Sequence, residues 1–115
     1  MNHNTRAAIA CIVSGSKKGQ IAAVYDFKQS KHIIFSGSIS NASVSIYDHD
    51  RGCHITGTIP GLYDHGIGGH IQLTINGNTF KGYDFHSGSH FSGTINGTNI
   101  SIYDFQESTH FNYNA

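Results

Sequence analysis

The chain has 115 residues, only 12% of them charged, and its seven basic residues balance seven acidic ones. That length suits a single domain, residues 1–115, able to bury one core without disulfides or metals. Near-zero charge excludes a nucleic-acid partner, because neutralising phosphates takes a basic face. No run approaches the ~18 apolar residues of a membrane span, so a soluble protein with no membrane partner is expected.

Fifteen isoleucines, thirteen serines, eight threonines and fourteen glycines stand against two leucines, one methionine and one glutamate. Strong helix formers are scarce, and the composition predicts an all-β protein. Nine histidines add positive charge on mild acidification, since imidazole titrates near pH ~6.5. The first apolar stretch, residues 7–13, is too short and too poorly flanked for a secretory leader; it is read as a strand, with cytoplasmic residence as the default. Residues 20–27 are read as a second strand. Cys11 and Cys53 follow no metal or redox spacing and are expected to be reduced and unpaired.

From Tyr25 onward one dipeptide organises the chain. Tyr-Asp recurs at Tyr25-Asp26, Tyr47-Asp48, Tyr63-Asp64, Tyr83-Asp84 and Tyr103-Asp104, at separations of 22, 16, 20 and 20 residues, each copy followed by Phe or His. A second landmark follows each aspartate within a few residues: His32, His54, His70, His90 and His110. After it comes strict alternation, as in Phe91-Ser92-Gly93-Thr94-Ile95, which marks a half-buried strand. Two strands run into Asn-Gly, at Asn76-Gly77 and Asn96-Gly97, a hairpin signal. Taking each dipeptide as the centre of its turn sets His90 opposite Tyr103 and His70 opposite Tyr83. Across the other loops it sets Phe85 opposite His90. The third copy turns at Pro60-Gly61, and residues 40–43 look like a longer loop.

The predicted fold is an antiparallel up-and-down meander of ten or eleven strands in ~20-residue hairpin repeats. Its inner face, from Ile33 and Phe35 through Ile100 and Ile102, has no amphipathic helix to cover it. The sheet must therefore close into a barrel or flatten into a sandwich, with inward Gly37, Gly57, Gly82 and Gly93 allowing it to curl. A β-solenoid is the alternative, disfavoured by the hairpin turns.

Parity divides the recurring dipeptide. Asp26, Asp48, Asp64, Asp84 and Asp104 fall on the inner row before tight loops and are read as loop caps that accept backbone N–H groups. Calcium binding is disfavoured by the lack of further oxygen ligands, with Asp48-His49-Asp50 the one local exception. The tyrosines fall on the outer row, and Tyr47, His70, Tyr83, His90, Tyr103 and His110 are the candidate ligand-binding residues, as an aromatic and hydroxyl surface for sugar rings. The weaker metal candidates are the pairs His49 and His54, His65 and His70, and His86 and His90, but two ligands fall short of a zinc set, so no metal or other cofactor is expected.

Five copies of one motif suit binding better than catalysis, which needs unlike groups brought together. The expectation is a non-enzymatic binding module for neutral carbohydrate. The alternatives are a self-assembling structural protein, forming homo-oligomers, and a barrel that carries a small apolar ligand. Were there an active site, Cys53 and His54 would be its first suspects.

Overall fold

The computed structural model describes all residues, Met1–Ala115. Where a strand is expected, residues 7–13 lie within helix α1, His3–Lys18. It is capped at both ends. The Asn2 side chain accepts from the backbone N–H of Asn4 at 2.8 Å and of Thr5 at 3.3 Å, and Gly19 closes the helix in the left-handed conformation, donating to the Gly15 carbonyl at 2.8 Å. Lys17 and Lys18 sit in the last turn, where the helix dipole favours cations. The helix has no polar face along its middle: Asn4 through Gly15 are all buried. A helix apolar on every side belongs inside a core.

The strands are β1 (Val24–Asp26), β2 (Lys31–Ile33), β3 (Phe35–Ser40), β4 (Ser43–Asp48), β5 (Cys53–Thr58), β6 (Gly61–Asp64), β7 (Gly69–Asn76), β8 (Thr79–Asp84), β9 (Ser89–Asn96), β10 (Asn99–Asp104) and β11 (Thr109–Asn114). The first strand after the helix is thus much shorter than residues 20–27. All pair antiparallel in the order β2-β1-β11-β10-β9-β8-β7-β6-β5-β4-β3. The strands at the two ends of this order, β2 and β3, are consecutive in the chain and separated only by Ile34. The Ile34 carbonyl accepts from His49 N–H at 3.0 Å, so one bent stretch of chain pairs with β1 below the bend and with β4 above it. The meander therefore forms a nearly closed barrel.

Inside it lies α1. Its Ala7, Ala8, Ile9, Ala10, Cys11, Ile12 and Val13 share one cluster with Ile33, Ile46, Ile55, Leu62, Ile71, Leu73, Phe91, Ile100 and Ile102 from the wall. The expected inner face is in place, with Ile59 and Ile75 half-buried at its margin. What covers it is the helix, at ~1.5 Å per residue some 24 Å long, inside a molecule 31 × 29 × 28 Å. Small side chains on α1 let so narrow a barrel admit a helix. The same helix takes the interior space that an apolar cargo would need.

Register differs from the sequence expectation by two residues at each connection. The Asn-Gly hairpins turn on Gly77-Asn78 and Gly97-Thr98, pairing Asn76 with Thr79 and Asn96 with Asn99. Gly77 and Gly97 each have φ of 62°, which a glycine at the first central position of a tight turn supplies without strain. At the other connections Asp84 pairs with Ser89, so Tyr83 faces His90. Residues 40–43 are no longer loop but a two-residue turn on Asn41-Ala42, both at positive φ, and the third copy turns on Ile59-Pro60 between Thr58 and Gly61. A shift of two preserves the face of every side chain. Gly82 and Gly93 lie opposite Phe91 and Phe80, whose rings cover them: a Cβ would stand 2.5 Å from the Phe91 ring and 2.4 Å from the Phe80 ring.

Candidate functional site

Alternation at each Tyr-Asp sends the carboxylate inward and the phenol outward, creating two distinct rings of groups. All five aspartates are buried. One carboxylate oxygen of each accepts from its own loop: Lys28 and Gln29 N–H on Asp26, Asp50 and Arg51 on Asp48, Gly66 and Ile67 on Asp64, His86 and Ser87 on Asp84, and Gln106 on Asp104. The second oxygen differs from copy to copy. Asp48 Oδ2 takes Arg51 Nε at 2.7 Å, and Asp64 Oδ2 takes Thr5 Oγ1 at 2.7 Å and Arg51 Nη2 at 3.0 Å. Asp84 Oδ2 takes Ser87 Oγ, and Asp104 Oδ2 takes Arg6 Nη1 at 2.9 Å and the Met1 ammonium. Asp26 Oδ2 is buried without a partner.

These contacts tie the barrel rim to the start of α1. Arg6 also donates to the Met1 carbonyl and the Tyr113 hydroxyl and lies 3.6 Å over the Phe111 ring. Burial opposes the charge of Arg51, but its bonds to Asp48 and Asp64 outweigh that and raise its pKa. Burial raises Tyr113 in the same region. In Asp48-His49-Asp50 the carboxylates are already engaged by Arg51, Asn4 and Lys31. Asn4 first and Lys31 second hold the Asp50 carboxyl below its ordinary value.

The outer ring is aromatic. Each tyrosine meets two rings edge-on: Phe27 and His32 around Tyr25, His49 and His54 around Tyr47, His65 and His70 around Tyr63, Phe85 and His90 around Tyr83, Phe105 and His110 around Tyr103. Every centroid separation is 4.7–4.9 Å, in the range where such pairs attract. Each tyrosine thus pairs with the histidine of its own copy, and the hairpin pairing of His90 with Tyr103 and His70 with Tyr83 is replaced by Tyr83 with His90 and Tyr63 with His70.

This arrangement separates the histidines read as pairs. Tyr47 stands between His49 and His54, and Tyr63 between His65 and His70. His49 and His65 are instead hydrogen-bonded to Ser36 and Thr56 at 2.8 and 3.2 Å. His86 lies in the loop after Asp84 rather than across a strand from His90. No three His, Cys, Asp or Glu residues are grouped to hold an ion. Cys53 pairs with inward Asp48 and lies beside Arg51, whereas His54 stacks on outward Tyr47, so these chain neighbours occupy opposite faces of β5.

Four open grooves mark the outer wall. The largest, about 610 Å³, has a floor of Ser92, Thr94 and Ser101 and sides of Lys81, Tyr103 and His110. Beside it a groove of about 520 Å³ runs between Tyr83, His90 and Phe105 over Gln72, Thr74 and Ser92. A third, about 500 Å³, lies between Phe85 and His70 over Gln72, and a fourth, about 200 Å³, lies between Phe27 and the amides of Asn96, Asn99 and Asn112. Of the six candidate residues, Tyr103 and His110 line the largest groove, Tyr83 and His90 the one beside it and His70 the third; Tyr47 lines none. Phe27, Phe85 and Phe105, the exposed walls of three grooves, are absent from that candidate set. Their signal is the position after each Tyr-Asp, where parity points outward again and an apolar ring has no core to enter.

The chain matches no protein-family model, and neither a curated protein nor a solved structure is found to be similar to it. No helix is long and apolar enough to cross a membrane.

Proposed function

We propose that the protein is a non-enzymatic binding module that takes carbohydrate on the outer wall of the barrel across β7–β11. The observation that carries this reading is the construction of adjoining open grooves with hydroxyl and amide floors and aromatic sides, while the interior is filled by α1. A pyranose offers an apolar C–H face to Phe105 or Tyr83 and hydroxyls to Ser92, Thr94 and Gln72. Such grooves bind weakly one at a time and gain through repetition. Reduced, unpaired Cys11 and Cys53 fit a cytoplasmic setting.

Glycan-array screening followed by calorimetry tests the reading, with Phe105→Ala losing affinity at an unchanged melting temperature. No binding across a broad array at millimolar sugar would refute it. A second reading, self-association, is favoured by the exposure of Phe27, Ile34, Phe85 and Phe105. It predicts a defined oligomer by light scattering that Phe85→Ala dissolves.

A further inference from the structure

The residue after each Tyr-Asp is Phe in the first, fourth and fifth copies and His in the second and third. In the chain the three phenylalanines are scattered. In the barrel they are neighbours, because β1 pairs with β11 and thereby joins the first copy to the fifth. Phe27 follows β1, Phe105 follows β10 and Phe85 follows β8, so a single strand separates each from the next, β11 in one case and β9 in the other. Two strand spacings are ~10 Å, and the register adds a stagger along the strands. Phe27 lies level with Ser101 across Asn112, four residues short of Phe105, and Phe105 lies level with Tyr83 across His90, two residues short of Phe85. At ~3.3 Å per residue the row runs obliquely with backbone separations of about 16 and 12 Å, a span of about two to three pyranose rings each.

The three positions are built alike. Each ring is 54–59% exposed and is held edge-on against its own tyrosine at 4.8–4.9 Å. Each walls a separate groove that also presents polar groups: Gln72, His90 and Ser92 beside Phe105, Asn96, Asn99 and Asn112 beside Phe27, and His70 and Gln72 beside Phe85, where Pro60 and Leu62 complete the lining. The series is also finite. Past Phe85 the equivalent residue is His65, bonded to Thr56, and past Phe27 the chain bends at Ile34.

We propose that the ligand is a linear neutral polysaccharide that runs around the barrel, obliquely across the strands, and occupies three subsites headed by Phe85, Phe105 and Phe27. This rests on the carbohydrate reading above and adds ligand length and direction to it. Rings already locked against tyrosines lose little freedom on binding, and a chain seated in one groove presents its next sugars to the neighbouring groove at an effective concentration in the millimolar range.

Calorimetry with cello-, xylo- and chito-oligosaccharides, from the disaccharide to chains long enough to cover three subsites, tests the proposal. The expected result is a fall in Kd of about 100-fold or more along one of these series, followed by a plateau. Phe27→Ala, at the end of the row, should remove most of the gain for the longest chains and leave the shortest unaffected, and melting temperatures verify that the variant is folded. Equal affinity for short and long chains, or a Phe27→Ala effect independent of length, overturns the extended site while leaving the carbohydrate reading intact. Failure of every series to bind overturns the extended site. An empty broad glycan array then removes the carbohydrate reading as well, and a dimer lost in Phe85→Ala would assign the aromatic arc to contact between copies of this chain.

Discussion

Replacing Ile12 by alanine tests whether α1 is the core of the barrel. Ile12 is fully buried, midway along the helix, in contact with the cluster that the wall contributes. Removing its outer carbons forfeits about 2.4 kcal/mol of transfer free energy at ~0.8 kcal/mol per buried methylene. A wall of paired strands cannot collapse onto the gap, so a cavity on the order of 50–80 Å³ persists and adds about 1–2 kcal/mol at ~24 cal/mol per Å³. The expected loss is about 3.5–4.5 kcal/mol, a large share of the ~6–17 kcal/mol that a chain of this size commands. Urea unfolding followed by circular dichroism should show the midpoint falling by about 2 M at unchanged slope, taking a slope of ~2 kcal/mol per M. Ala8→Leu, which adds volume at an equally buried position, should also destabilise, by about 1–3 kcal/mol. A loss below about 1 kcal/mol for Ile12→Ala, together with tolerance of Ala8→Leu, would refute a helix packed inside the barrel.

Arg51→Met strands the buried carboxylates of Asp48 and Asp64 and should cost about 3–5 kcal/mol, whereas Lys31→Met breaks an exposed pair with Asp50 and should cost at most about 1 kcal/mol; chemical denaturation of both variants checks the contrast. Gly82→Ala places a Cβ 1.9 Å from the Gln72 carbonyl oxygen and should lose at least about 2 kcal/mol or fail to close the barrel, measured by thermal unfolding. Asp50 is held below its unfolded pKa, so its contribution is present at neutral pH and is lost as pH falls through the folded value, below 3.8; in Asn4→Ala that acid loss should be smaller in urea titrations at successive pH values. Burial raises the Cys11 thiol to about 12 and raises Cys53 as well, so iodoacetamide should label Cys53 slowly at neutral pH and faster as pH rises, and should reach Cys11 only through unfolding. Mass spectrometry of the native protein showing early labelling of Cys11 would contradict its placement.

Alternation, turn residues and the need to bury one face were enough to read an antiparallel barrel and the inward set from Ile33 to Ile102. The helix was legible only in its ends. Asn2, Lys17, Lys18 and Gly19 are start and stop signals, but between them lie Ala7, Ala8, Ile9, Ala10, Cys11, Ile12 and Val13, a run with no polar stripe. A short, uniformly apolar run has no period, so it does not distinguish a buried strand from a buried helix, and a composition rich in Ile, Ser and Thr tilts the choice towards strand. Register failed for a different reason. In Asn-Gly-Asn and Asn-Gly-Thr either pair of residues satisfies a two-residue turn, and the choice moves pairing by two, which parity does not detect.

That insensitivity preserved every inward and outward assignment while misplacing partners, and it bears directly on the candidate site. The outer position of Tyr83 and His90 follows from parity alone, but their contact with each other depends on register. The juxtaposition of Phe27 with Phe105 needs closure in addition. It arises because β1 pairs with β11 and brings the first copy of the motif back beside the last. A local pattern can place a ring on the outside of a strand; only closure decides which rings stand next to one another. The aromatic arc over β8, β10 and β1 is therefore a property of the closed barrel. A permuted chain that opens between β2 and β3, with the old termini joined, should keep the arc as long as β1 stays paired with β11, whereas severing β1 from β11 should remove Phe27 from it and leave Phe85 and Phe105 in place.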